Sequence, residues 1–109
     1  MEKKRELETY QRFRKQHTEY FAAVEGLGTA VRNAGPLDEL VVQLVQLGAA
    51  AAIRSEGAVH SHTRRALEVG ASPEQIHHAL LAITSTIGFP TVIAALSWAD
   101  DVLERKAKT

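Results

Sequence analysis

No cysteine occurs in the 109-residue chain, and that single absence excludes disulfides, thiolate metal sites and thiol catalysis. Net charge is missing too. Thirteen basic residues balance thirteen acidic ones, which removes the electrostatic footprint of a nucleic-acid binder. The opening Met1-Glu2-Lys3-Lys4-Arg5-Glu6 carries charge where a secretory signal has its apolar segment, so the expected location is cytoplasmic. Residues 79–99 contain no formal charge, about the length of one bilayer span. Thr84, Ser85, Thr86, Gly88 and Pro90 interrupt that run near its middle, so two shorter buried helices are expected and no membrane partner. At this length the chain is one domain, residues 1–109, that buries only roughly two-thirds of its unfolded surface and gains from self-association.

What remains is helical grammar almost throughout. Residues 2–25 alternate charge with Leu7, Tyr10, Phe13, Tyr20 and Phe21, which approximate one apolar stripe. Gly26 and Gly28 are expected to loosen or break that helix, with a short continuation to Arg32. The N-terminal helical arm, residues 1–33, ends at the turn Asn33-Ala34-Gly35-Pro36, and the core of the domain spans residues 37–104. A second helix starts near Leu37 or Asp38, with Asp38 and Glu39 suited to the positive end of its dipole. Leu37, Leu40, Val41, Leu44, Val45, Gly48, Ala51 and Ala52 are its expected core face. Val42, Leu47, Ala49, Ala50 and Ile53 fill much of the opposite side, so part of its burial is expected from another subunit.

A third helix covers residues 56–69, with Gly70 in the left-handed position past its end. Ser72-Pro73-Glu74-Gln75 reads as a capping box opening the next helix, which carries Ile76, Ala79, Leu80, Ile83 and Ile87 on one face. That helix stops at Gly88, and Pro90 opens the last one through Val92, Ile93, Leu96, Trp98, Val102 and Leu103. Residues 105–109 are expected to fray. No strand is needed, and the fold class is all-α, a compact bundle of about six helices.

The chemistry concentrates in Ser55-Glu56-Gly57-Ala58-Val59-His60-Ser61-His62. Helical spacing puts Ser55, Ala58 and His62 in one row and Glu56 with His60 in another. His60 and His62 point roughly 200° apart, and His77 and His78 about 100° apart, so neither pair holds one metal on an intact helix. No metal and no cofactor is expected. His60 with Glu56 reads as a surface ion pair. For His62 two readings stand: an imidazole satisfied by a backbone carbonyl in a packed helix pair, or one that lines a small pocket and moves a proton near neutral pH. Ser55 can donate a hydrogen bond, but as a nucleophile it lacks a Gly-x-Ser-x-Gly elbow and an acid behind His62.

The spaced pattern Leu37-Asp38, Ser55-Glu56-x-x-Val59-x-x-His62-x-x-x-Ala66-x-x-x-Gly70, Ser72-Pro73-Glu74-Gln75-Ile76 and Gly88-Phe89-Pro90 resembles the carboxymuconolactone decarboxylase family, which includes the alkylhydroperoxidase D-like proteins. The resemblance implies an all-helical subunit that packs into dimers, trimers or hexamers, a hexamer being the expected homo-oligomer. In the hydroperoxidase branch two cysteines, a histidine and an upstream glutamate reduce peroxide. Carried onto this chain, those positions hold Ser55, Ala58, His62 and Gln43. Neither serine nor alanine cycles through sulfenic acid and disulfide, so thiol peroxidase activity is not expected. In the decarboxylase branch, Glu56-Gly57, Val59, His62, Arg64 and Ala66 match. There the resemblance implies a cofactor-free lyase or isomerase acting on a small anionic substrate. Its catalytic candidates are His62 as proton carrier, Ser55 or Glu56 orienting substrate or imidazole, and His78 lining the pocket. Arg64 or Arg65 can attract the anion. The alternative is a catalytically silent member kept as an oligomeric binding or scaffold protein.

Overall fold

The computed structural model describes the backbone of residues 2–108 and the side chains of residues 4–106. It is all-helical among the described residues: α1 (Glu2–Gln16), α2 (Thr18–Arg32), α3 (Glu39–Ala52), α4 (Glu56–Glu68), α5 (Pro73–Leu81), the single turn α6 (Thr84–Ile87) and α7 (Phe89–Lys108). The chain divides into two compact units, Met1–Pro36 and Leu37–Thr109.

Within the first unit, the break between helices falls at His17, whose backbone is non-helical at φ −132° and ψ 60°. The expected break at Gly26 and Gly28 does not occur, because α2 runs through both. Tyr10 of α1 meets Phe21 of α2 edge-on at 5.3 Å, and Arg14 reaches Glu25 at 3.2 Å. These contacts are exposed, and ion pairs of that kind contribute little to stability.

In the second unit, α4 packs between α3 and α7, with α5 against α3 and α7. The starts of α3, α4 and α5 are each capped by a short polar side chain that satisfies an orphan backbone N–H. Asp38 accepts from the amide of Val41, Ser55 from that of Ala58, and Ser72 from that of Gln75. Gln75 returns the favour to the Ser72 amide, completing the expected capping box. The end of α4 is a Schellman turn: Gly70 sits at φ +102°, its N–H bonds Leu67, and the Ala71 N–H bonds Ala66. The same turn closes α3, but there the left-handed residue is Arg54 at φ +56°, with Ser55 N–H on the Ala50 carbonyl.

The core is built from Leu47, Ala50, Ala51, Val59, Ala66, Ala71, Ile76, Leu80, Ala95 and Ala99. Six alanines among these let the helices approach closely, while Leu47, Val59, Ile76 and Leu80 supply most of the buried bulk. The face of α3 differs from the expected one by roughly a quarter turn. Gln43, Leu47, Ala50 and Ala51 are buried, whereas Leu37, Val41 and Val45 are exposed and so is Ala52. The reason is Gln43: a glutamine in the core shifts the apparent apolar stripe away from the true one.

The helix expected over residues 73–87 is interrupted. It stops at Leu81, whose carbonyl is capped by the Thr84 hydroxyl at 2.7 Å, and resumes only as the turn α6. A threonine hydroxyl that takes a local carbonyl competes with the helix ladder in this way. Gly88, at φ +91°, then makes the expected stop. α7 continues to Lys108, so the fraying expected from residue 105 does not set in there; Thr109 lies outside the described residues. No helix among the described residues is long and apolar enough to cross a membrane.

Candidate functional site

α4 presents histidines to two different neighbours. Toward α3, His62 Nδ1 and Gln43 Oε1 lie 2.9 Å apart. An amide oxygen only accepts, so in this pair Nδ1 carries the proton and Nε2 is left with its lone pair. Gln43 is buried and His62 half-buried. Burial lowers the His62 pKa below its ordinary 6.5, and the positive charge of Arg65 lowers it further. Both effects favour the neutral ring, whose Nε2 lone pair can accept a proton. Beside it, Thr63 is wholly buried, with its hydroxyl unpartnered among the described residues.

Toward α7, His60 Nε2 stands 2.9 Å from Asp101 Oδ2 and 3.9 Å from Glu56 Oε2. The expected surface pair of His60 with Glu56 is thus replaced by a half-buried group of three, in which Asp101 is the closer partner. Its neighbour Asp100 makes the matching contact to α5, with His77 Nε2 at 2.7 Å.

The four side chains expected to share a site are not brought together. Ser55 and His62 share a row of α4, but seven residues of rise separate them by about 10 Å along the axis. The Ser55 oxygen is the N-cap of α4, accepting from Ala58 at 3.3 Å. Glu56 faces His60. His78 is exposed on α5, with no bond to His62 among the described residues. The imidazole is oriented instead by Gln43, and the positive charge of Arg65 acts on it.

Asp100 and Asp101 are the residues that sequence reasoning left out of the site, and Gln43 entered it only as the position that the family resemblance gives to an upstream glutamate. Gln43 carried a signal, as one of two polar side chains in the uncharged run of residues 40–53. Asp101 and His60 are 41 residues apart and Asp100 and His77 are 23 apart, with no periodicity to link them.

Comparison with known proteins adds a further layer. The model of the carboxymuconolactone decarboxylase family matches residues 18–101. The uncharacterized protein MJ1511 of Methanocaldococcus jannaschii is 32% identical over 89 residues, 82% of this chain and 83% of that protein. The crystal structure of apo-lpg0406, a carboxymuconolactone decarboxylase family protein from Legionella pneumophila, superposes with a TM-score of 0.79 at 22% identity, covering 93% of this chain and 90% of that one. At that identity the likeness concerns the fold.

Proposed function

Starting from the fact that this chain belongs to the carboxymuconolactone decarboxylase family, we propose that it is a cofactor-free lyase or isomerase in which His62 moves a proton on a small anionic substrate. The observation that carries this reading is the His62–Gln43 bond. It holds the imidazole in one tautomer, and burial keeps the ring neutral. A neutral base fits a step that begins by removing a proton from carbon next to a carbonyl. In an isomerisation, Nε2 takes that proton and returns it to another carbon of the same framework. In a decarboxylation, the bond to the carboxylate breaks, CO2 leaves, and the electron pair left on carbon takes a proton delivered from water through the imidazole. Arg65 raises the local potential and favours a carboxylate beside the ring. Ser55, Glu56 and His78 remain secondary candidates for substrate contact, since none of them touches the imidazole. Redox cycling through thiols is outside the chemistry of this chain, which has no cysteine.

The same reading includes a cytoplasmic homo-oligomer, of hexamer size. Leu37, just before α3, and Val41 and Val45, one turn apart on it, are 54%, 38% and 58% exposed, and Phe89 and Ile93 form another pair of exposed apolar residues. Apolar rows of this kind on a small domain favour association. They also favour the second reading, a catalytically silent member that serves as an oligomeric binding protein.

The test is a panel of lactone carboxylates and β-keto acids assayed for CO2 release and for isomerisation, with His62→Gln as the paired variant. Turnover that His62→Gln abolishes supports the enzyme. Turnover retained in full by that variant removes His62 from the mechanism. No turnover, together with no perturbation of the His62 ring resonances by any member of the panel, favours the silent reading.

A further inference from the structure

On the side of α4 opposite the His62 row, Glu56, His60 and Asp101 bring three ligand atoms, two carboxylate oxygens and one imidazole nitrogen, within 4.8 Å of one another. We infer that this group is a binding site for a single first-row divalent cation of the zinc class, with one coordination position left open.

The donor set is mixed rather than merely acidic. Imidazole nitrogen with two carboxylates suits zinc, where an all-carboxylate cluster suits calcium or magnesium. The geometry is close to what such an ion needs. Bonds of about 2.0–2.1 Å at tetrahedral angles place ligand atoms roughly 3.3–3.4 Å apart. The observed separations bracket that value: His60 Nε2 is 2.9 Å from Asp101 Oδ2 and 3.9 Å from Glu56 Oε2. Opening the first by about half an ångström and closing the second by as much takes only side-chain torsions.

The supports are rigid. Glu56 and His60 lie one turn apart on α4, and Asp101 comes from α7, which packs along it. The site is also partly withdrawn from solvent, with the His60 side chain only 17% exposed and those of Glu56 and Asp101 31% and 37%. Both carboxylates make other interactions as well, and the cation must compete with these. A second observation lies on the same stripe of α4. Thr63 is three residues beyond His60 and seven beyond Glu56, so helical spacing aligns all three. It is wholly buried, and its hydroxyl has no hydrogen-bond partner among the described residues. A buried polar atom of that kind calls for a partner.

Three protein ligands and an open position are the arrangement that lets zinc hold a water. The site is separate from His62, whose row points to α3, so its fate does not decide the reading of that residue.

The experiment is isothermal calorimetry of the full chain, first treated with chelator and dialysed, titrated with zinc chloride. The wild type is compared with His60→Gln, Asp101→Asn and His77→Ala. His60→Gln keeps a hydrogen-bonding group for Asp101, and Asp101→Asn keeps side-chain size, while circular dichroism checks that each variant is folded. The expected result is saturable binding of one ion per chain. Affinity falls about tenfold or more in His60→Gln and in Asp101→Asn, and His77→Ala binds as the wild type does. Absence of saturable binding overturns the inference. So does binding that both His60→Gln and Asp101→Asn retain, or binding that His77→Ala removes, since either marks attachment to other histidines.

Discussion

The His62 imidazole on α4 is held by the Gln43 side chain on α3 across 2.9 Å, so an uncharged amide does the orienting that a carboxylate does in a charged dyad. An amide oxygen fixes the tautomer without bringing a negative charge to the imidazolium, so burial and the charge of Arg65 depress the pKa. Replacing that one group therefore changes the charge state of the ring.

Gln43→Glu is expected to raise the His62 pKa by about one pH unit or more, because an opposite charge in contact favours the protonated ring. The measurement is the pH titration of the His62 ring protons by NMR. An unchanged or lower value means that the two side chains are not in contact in solution.

Gln43→Leu keeps the bulk and removes the acceptor, leaving a part-buried N–H without its bond. A loss of about 1–3 kcal/mol in urea unfolding is expected. A neutral or stabilising effect contradicts the pairing.

His62 also gives stability a pH dependence of defined sign. Its folded-state pKa lies below the ordinary 6.5, so the unfolded chain binds the proton more readily. The contribution is fully present above about pH 6.5 and is lost as the pH falls through the interval down to the folded-state value. Urea midpoints of wild type minus His62→Gln, taken from about pH 7.5 down to about pH 5 with EDTA present, should show the wild type losing ground toward acid. A difference that is flat, or that grows toward acid, contradicts the depressed pKa.

The exposed residues Val41 and Val45 on α3, with Leu37 just before its start, are the proposed contact between copies. The wild type is expected to be oligomeric at micromolar concentration by size exclusion with light scattering, and Val41→Glu with Val45→Glu to dissociate it, since an interface core does not accept unpaired charge. A monomeric wild type, or a double variant with unaltered mass, refutes the assignment.

Arg54 occupies a left-handed position, φ +56°, at which a side chain costs about 1–2 kcal/mol that glycine avoids. Its guanidinium donates to the Thr91 hydroxyl at 3.0 Å in an exposed contact, which offsets only part of that. Arg54→Gly is expected to raise stability by about 1 kcal/mol or somewhat less. Destabilisation instead would mean that the Arg54–Thr91 contact outweighs the backbone term.

The helices were legible wherever local chemistry alone decides them. Ser72-Pro73-Glu74-Gln75, Gly70 and Gly88 each act within a few residues, and each does in the fold what its sequence context indicates. The face of α3 was not legible, because the polarity of Gln43 is compensated by a residue nineteen positions away, and periodicity treats such a residue as solvent-facing. The break at His17 was hidden for a related reason. It lies inside a continuous charged pattern, whereas Gly26 and Gly28 advertise a break that the chain does not make. His62 stood out as the residue to watch, but its partner comes from another helix, and so does the nearest partner of His60. Cross-helix pairings of this kind follow from the packing and leave no trace in spacing.

The neighbouring aspartates of α7 carry a consequence for how that helix can sit. Asp100 bonds His77 of α5 and Asp101 bonds His60 of α4, and successive side chains on a helix diverge by about 100°. The two anchors thus index α7 like a key with two teeth. Sliding it by one residue would turn both acids away from their imidazoles at once, so these two polar contacts reinforce the register that Val92, Val102 and the alanines of α7 set by packing.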